Sequence, residues 1–183
     1  MKKTAVCGID MRDRETFNLL YETYFFSLKY FGLKYLCDQG QVCDIIQEVF
    51  FKLWKTGQKF ESEIALRAFL YNSIRNSCLN EIRDTKIHNR IHEEMENYDT
   101  EESFFANIIE AEIFETVRCG FAQLPESVKR VYKMSLEGMS HAEISEILKI
   151  SINTVKKHKN TANHFLRKKL KDIYLIILTL SWC

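Results

Sequence analysis

The chain of 183 residues has one proline and six glycines. Period-2 alternation of half-buried strands is equally scarce, and apolar residues recur instead at intervals of three and four. These absences argue against a turn-rich β architecture and point to an all-α fold. The six cysteines (Cys7, Cys37, Cys43, Cys78, Cys119 and Cys183) make no CxxC pair. Neither a disulfide framework nor a zinc ribbon is signalled, and a reducing cytosol is expected. Cys37 and Cys43 read as small buried apolar residues. No Gly-rich phosphate loop and no nucleophile elbow is found, so no enzymatic activity is expected. His88 and His92 stand four apart without a third ligand nearby, so neither a metal nor another cofactor is expected.

Long hydrophobic runs are missing too. Lys2 and Lys3 precede TAVCGI, an apolar run cut off by Asp10 and shorter than the about 7 to 15 residues an export signal needs. The tail Ile173 to Cys183, IYLIILTLSWC, has eleven residues where a membrane helix needs about 20. No stable membrane insertion is expected, and the tail reads as a last helix packing on its own domain. A cytoplasmic protein follows.

What is present is a globular composition, 46% apolar and 28% charged, with a formal net charge of only +1. That near-neutrality hides a division. Residues 1 to 84 carry net +1, residues 85 to 116 net −7 and residues 117 to 183 net +7. The acidic middle, HNRIHEEMENYDTEESFF, has no helical apolar stripe before Phe104 and suits an exposed linker. The expected layout is two small helical domains, residues 1–86 and 117–183, joined by an acidic linker over 87–116.

The last domain opens at LPESVKRVYKMSLEG, with Pro125 near a first helical position and Gly138 as a stop. Ser140 and Glu143 make a capping box, and the short helix it starts buries Ile144, Ile147 and Leu148. Only Lys149 and Ile150 separate that helix from Ser151, which caps a third. Helix, tight turn and capped helix make a helix-turn-helix, whose second helix enters the DNA major groove. Val155, Ala162 and Leu166 share one side of it. Asn153, Lys157, Asn160 and His164 share the other, flanked by Lys156 and Thr161. Asparagine, lysine and threonine hydrogen-bond base edges, and lysines also neutralise phosphates. The turn requires a left-handed residue at Lys149, at a cost of about 1 kcal/mol for a non-glycine.

In the first domain, DIIQEVFFKLW (Asp44 to Trp54) places Ile45, Ile46, Val49, Phe50 and Leu53 on one stripe. RAFLYNSIRNSCLNEIRD (Arg67 to Asp84) interleaves Phe69 and Tyr71 with Asn72, Arg75, Asn76 and Arg83, a mixture suited to unstacked single-stranded bases.

Together these segments resemble the extracytoplasmic-function group of sigma-70-type transcription initiation factors. DIIQEVFFKLW is similar to that family's polymerase-clamp-binding helix. FLYNSIRNSCLNEIR is similar to its minus-10 region, and LPESVKRVYKMSLEGMSHAEISEILKISINTVKKH to its winged-helix-like minus-35-binding domain. The resemblance implies core RNA polymerase, through both large subunits, and promoter DNA as partners, and it allows an anti-sigma protein. It implies polymerase contacts at Asp44, Gln47, Glu48, Phe51, Lys52 and Trp54. Minus-10 contacts would be Tyr71, Asn72, Arg75, Asn76, Asn80 and Arg83, with Asn76 beside a flipped base. Minus-35 contacts would be Ser151, Asn153, Thr154, Lys156, Lys157, Lys159, Asn160 and Thr161. The linker would lie along the path of the RNA, its charge mimicking RNA. Lys149 replaces a usual glycine, Asn80 stands where aspartate is common, and the apolar tail exceeds the family's needs. The rival expectation is a regulator of the response-regulator or quorum-sensor output type, which has a similar helix-turn-helix. It would need a receiver or ligand-binding domain, where residues 1 to 116 read as all-helical.

Overall fold

The computed structural model describes residues 9–89 and 100–180. The elements run β1 (Ile9–Asp10), α1 (Arg14–Gly32), α2 (Gln39–Thr56), β2 (Lys59–Phe60) and α3 (Glu63–Asn89), then α4 (Glu101–Ala122), α5 (Glu126–Leu136), α6 (His141–Leu148) and α7 (Ile152–Leu180). The fold is all-α, with one antiparallel pairing among the described residues, Ile9 with Phe60 and Asp10 with Lys59. It divides into two units, Met1–Glu112 and Ile113–Cys183.

In the first unit the helix starts are written in short polar side chains. Asp13 accepts from the Thr16 amide at 2.8 Å and Asp38 from the Gln41 amide at 2.9 Å, each satisfying an amide that has no partner in its own helix. Helix α2 stops at Gly57, whose φ of 61° is left-handed. A Cβ there would also run into the Arg12 side chain at 2.0 Å. The core gathers twenty buried residues. The expected stripe of α2, Ile45 to Leu53, is buried in it against α1 and α3. Aromatic rings meet edge to face around Phe31, with Tyr71 at 5.0 Å and Phe104 at 5.8 Å. Such pairs stabilise beyond the area they bury.

Phe104 brings the main departure from expectation. Residues 101 to 116 do not form an exposed linker but belong to a helix, which starts at Thr100 with the Ser103 amide on its hydroxyl at 3.1 Å. Phe104 and Ala111 enter the first unit's core. The acidic composition concealed this because two apolar side chains suffice to dock one face of a helix whose other faces stay charged. His92 and residues 90–99 of the expected linker lie outside the described residues.

The second unit is built on local devices. Pro125 precedes α5, and Gly138, at φ 90°, ends it while the Met139 amide returns to the Met134 carbonyl at 3.2 Å. The capping box of α6 forms in both directions, Ser140 amide to Glu143 at 2.8 Å and Glu143 amide to Ser140 at 3.3 Å. Lys149 takes the left-handed conformation, φ 53° and ψ 44°. The turn is fastened by the Ile150 amide on the Ser145 carbonyl at 3.1 Å and by the Ser145 hydroxyl on the Ile150 carbonyl at 2.5 Å. Val131, Ile144 and Val155 make one small core; Leu124, Val128 and Ala162 make another. Ile147, expected inside, is 56% exposed, because on an eight-residue helix the single position of Ile144 already fills the contact with α7 and α5. The packing expected of the apolar tail lies outside the described residues. Among the described residues no helix is long and apolar enough to cross a membrane.

Candidate nucleic-acid interface

Helix α7 begins where Ser151 accepts from the Thr154 amide at 3.1 Å and meets the Thr154 hydroxyl at 2.9 Å. Both side chains are therefore occupied with starting the helix rather than held out for a ligand. Val155, Ala162 and Leu166 are buried, which fixes the opposite side toward solvent. There, Asn153, Lys156, Lys157, Asn160, Thr161 and His164 line one open depression with Phe165 and Lys168. Thr161 donates to the Lys157 carbonyl at 2.9 Å, leaving its oxygen lone pairs outward. From Ile147 to Lys171 the chain contains no acid, so this face is a cationic surface with amides between the charges.

Lys159 is not on that face. It lies about 40° round the helix from Val155 and is half-buried, so it belongs to the packed side. His164 and Lys168 were absent from the expected contacts, although both continue the spacing of Asn153, Lys157 and Asn160 by one and two more turns.

Helix α3 presents two adjacent stripes. Asn72, Asn76, Asn80 and Arg83 are exposed and lie within about 80° of one another. The Asn72 amide donates to the Ala68 carbonyl at 2.8 Å, and the Asn80 oxygen accepts from Arg83 at 3.2 Å. The second stripe is Arg67, Tyr71 and Arg75. Tyr71 was expected to meet bases, yet it is 0% exposed. Its hydroxyl donates to Glu112 at 2.7 Å, and burial, with Glu112 beside it, raises the phenol above its ordinary range. Arg75 lies over the Phe104 ring, 4.6 Å from its centroid. Both are drawn into the packing by α4, a distant partner further along the chain that local reading of α3 could not supply.

Helix α2 carries the third set. Asp44, Gln47, Glu48, Phe51, Lys52 and Trp54 are all exposed, and Phe51 is 62% so. Glu48 and Lys52 pair at 2.7 Å. Trp54 is steadied edge to face by Phe17 of α1 at 5.0 Å. An apolar, aromatic and charged surface on a rigid helix is what a protein partner anchors on.

Comparison with known proteins gives the family. Sigma-70 region 2 matches residues 20–87 and Sigma-70, region 4 matches residues 114–162. The chain belongs to the sigma-70 family of transcription initiation factors, in its extracytoplasmic-function group. Its function is promoter-specific initiation, and its partners are core RNA polymerase and promoter DNA. It is similar to an ECF RNA polymerase sigma-E factor of Haemophilus influenzae, 24% identical over 180 residues, covering 90% of this chain and 93% of the relative. An RNA polymerase sigma-H factor of Pseudomonas aeruginosa is 21% identical over 88% of this chain and 89% of its own length. Among solved structures, the sigma factor RpoE in complex with the anti-sigma factor NepR from Bartonella quintana aligns with 16% identity and a TM-score of 0.35, covering 86% of this chain and 98% of that one. CnrH in complex with the cytosolic domain of CnrY aligns with 18% identity and a TM-score of 0.33, over 87% and 90% of the two chains.

Proposed function

We propose that three separate helix faces divide the work of initiation. The exposed side of α2, Asp44 to Trp54, binds core polymerase. The asparagine stripe of α3, with Arg83 at its end, receives the non-template strand of the minus-10 element once it is unpaired. The cationic face of α7 reads the minus-35 element as duplex. Asn153, Lys157 and Asn160 reach base edges, and Lys156 and Lys168 reach phosphates. The observation that carries this reading is that the amide-bearing faces of α3 and α7 are both exposed while α2 offers apolar anchors instead. Two kinds of nucleic-acid surface and one protein surface are what an initiation factor needs. As a factor that serves RNA polymerase on promoter DNA, the chain acts in the cytoplasm and leaves the chemistry to the polymerase.

Run-off transcription with purified core polymerase on genomic fragments tests the division. Charge reversal at Lys156 and Lys157 should abolish promoter choice while leaving the factor bound to polymerase. Phe51→Asp should abolish polymerase binding itself. If Phe51→Asp leaves the complex intact, α2 is not the docking surface.

A further inference from the structure

The first half of α4 does more than complete a core. We propose that residues 101–112 are a built-in mimic of single-stranded DNA, covering a strand-binding surface made of Lys34, Arg67, Tyr71 and Arg75. The proposal rests on the reading of α3 as the minus-10 strand receiver, and extends that surface by a second stripe.

The contacts are those a nucleic-acid strand would make. Glu112 accepts from Arg67 at 3.1 Å with one oxygen and from Tyr71 at 2.7 Å with the other. Glu110 accepts from Lys34 at 2.8 Å and from the Tyr30 hydroxyl at 2.5 Å. Carboxylate on guanidinium and ammonium is the side-chain counterpart of phosphate on the same groups. Six residues before Glu110, Phe104 lays its ring against the Arg75 guanidinium, as a base stacks on arginine. One ring and two carboxylates along one segment thus offer the counterparts of a base and two phosphates.

The surface beneath continues the proposed asparagine stripe. Arg67, Tyr71 and Arg75 are spaced by four on α3, and Arg75 lies only about 60° round from Asn72. A strand resting on the exposed asparagines passes beside the covered stripe. Residues 101 to 112 contain four glutamates and no lysine or arginine, the charge that a phosphate surrogate requires. Lys34 and Arg67 side chains are each 34% exposed, so water reaches both ion pairs and the carboxylates can exchange for phosphates. The Lys34 hydrogen bond, then that of Tyr30, holds the Glu110 carboxyl below the ordinary glutamate range, and it keeps its charge at neutral pH. Opening the promoter would then supply the strand that displaces the mimic, and duplex DNA, whose bases are stacked inside, would not.

The test uses the full chain and a short labelled single-stranded DNA of mixed sequence, followed by anisotropy. Converting Glu110 and Glu112 together to glutamine keeps the hydrogen-bond shape and removes the phosphate-like charge. The double variant should bind single strands about tenfold more tightly, with a salt slope steeper by about 1.4 for two more neutralised phosphates. Arg67→Ala in that background should cancel the gain. Glu101→Gln with Glu102→Gln removes equal charge from exposed positions of the same helix and should gain much less. Phe104→Leu, which keeps the apolar volume but not the ring, should also tighten binding. In the unmodified chain, saturating single-stranded DNA should accelerate hydrogen exchange of the 101–112 amides while duplex DNA does not. The proposal is overturned if the folded Glu110/Glu112 variant binds single strands no better than the parent, if the Glu101/Glu102 control gains as much, or if exchange at 101–112 ignores the strand. Asn76→Ala in the released background separates the two readings. Should it leave binding unchanged while Arg67→Ala abolishes the gain, the mimic stands and the asparagine stripe is misassigned.

Discussion

The two units solve one problem in different ways: each holds a helix rigid while leaving one of its polar faces exposed. The first unit does it with mass. Twenty buried residues, Phe31, Phe50 and the Tyr71 of α3 itself among the largest, lock the inner side of α3 into one core. Among the described residues the second unit has two clusters of three buried residues each and relies on caps, a left-handed lysine and a glycine stop to set the angle of α7. A deep core tolerates weak local signals. A shallow one needs each signal to be present.

That contrast can be broken most forcefully at Phe31, which is wholly buried among Tyr35, Tyr71 and Phe104. Phe31→Ala should cost the first unit about 3 to 5 kcal/mol and leave the melting of the second unchanged. Differential scanning calorimetry reads both. A single shared transition moving as one would show that the units do not keep separate accounts of stability.

The next effect concerns what the bare faces do. Lys157→Ala and Asn160→Ala should each alter minus-35 base preference by about 1 to 3 kcal/mol where a bidentate contact is lost. Lys156→Ala should weaken all sequences alike and lower the salt slope by about 0.9. Lys159→Ala, on the packed side, should change neither. Binding titrations against a set of altered minus-35 sites at several salt concentrations decide the matter, and a specificity change from Lys159→Ala would mean the helix is rotated in the groove.

Two effects of about 1 kcal/mol follow. Asn76→Ala loses one hydrogen bond to an unpaired base, and should slow promoter opening about fivefold as read by permanganate reactivity of promoter thymines. A template already mismatched across minus-10 should restore much of the rate. Normal opening by the variant would remove Asn76 from the strand contact. Lys149→Gly relieves the one left-handed non-glycine among the described residues. It should stabilise the second unit by about 1 kcal/mol, raising its midpoint by roughly 4 to 8 °C. The same change in the first unit's capping residues has no such reserve, because Gly57 already occupies its left-handed position.

The smallest effect is electrostatic. Ser140 hydrogen bonds, from side chain and then backbone, hold the Glu143 carboxyl below its ordinary range. A carboxyl lowered by folding contributes stability that is present above the ordinary glutamate range and lost as pH falls through the lowered value. The start of α6 should therefore fray in acid before the core of the first unit yields. Amide chemical shifts at Ser140 and Glu143 across an acid titration would show it, and shifts that stay flat below the ordinary range would count against the capping box as a stabilising device.

Much of this was legible along the chain. The helices, the capping box, the left-handed turn at Lys149 and the buried side of α7 follow from spacing and short-range hydrogen bonds, whose partners lie within about five residues. The exposed sets on α2 and α7 follow for the same reason, since naming the buried stripe names its opposite. What the sequence by itself determined is therefore which side of each helix is apolar. Tertiary structure alone decided what covers the intermediate flanks. Tyr71 and Arg75 read as bare side chains, and only the fold shows Glu112 and Phe104 of another helix covering them. Lys159 reads as fully exposed, and the packing of α7 leaves it half-buried. The acidic stretch from Glu101 reads as linker until two of its side chains find a core. A flank is neither committed to the interior by its own hydrophobicity nor to water by its charge. Its fate depends on a long-range partner, and the spacing of residues along a chain carries no information about which distant segment will come to lie against it.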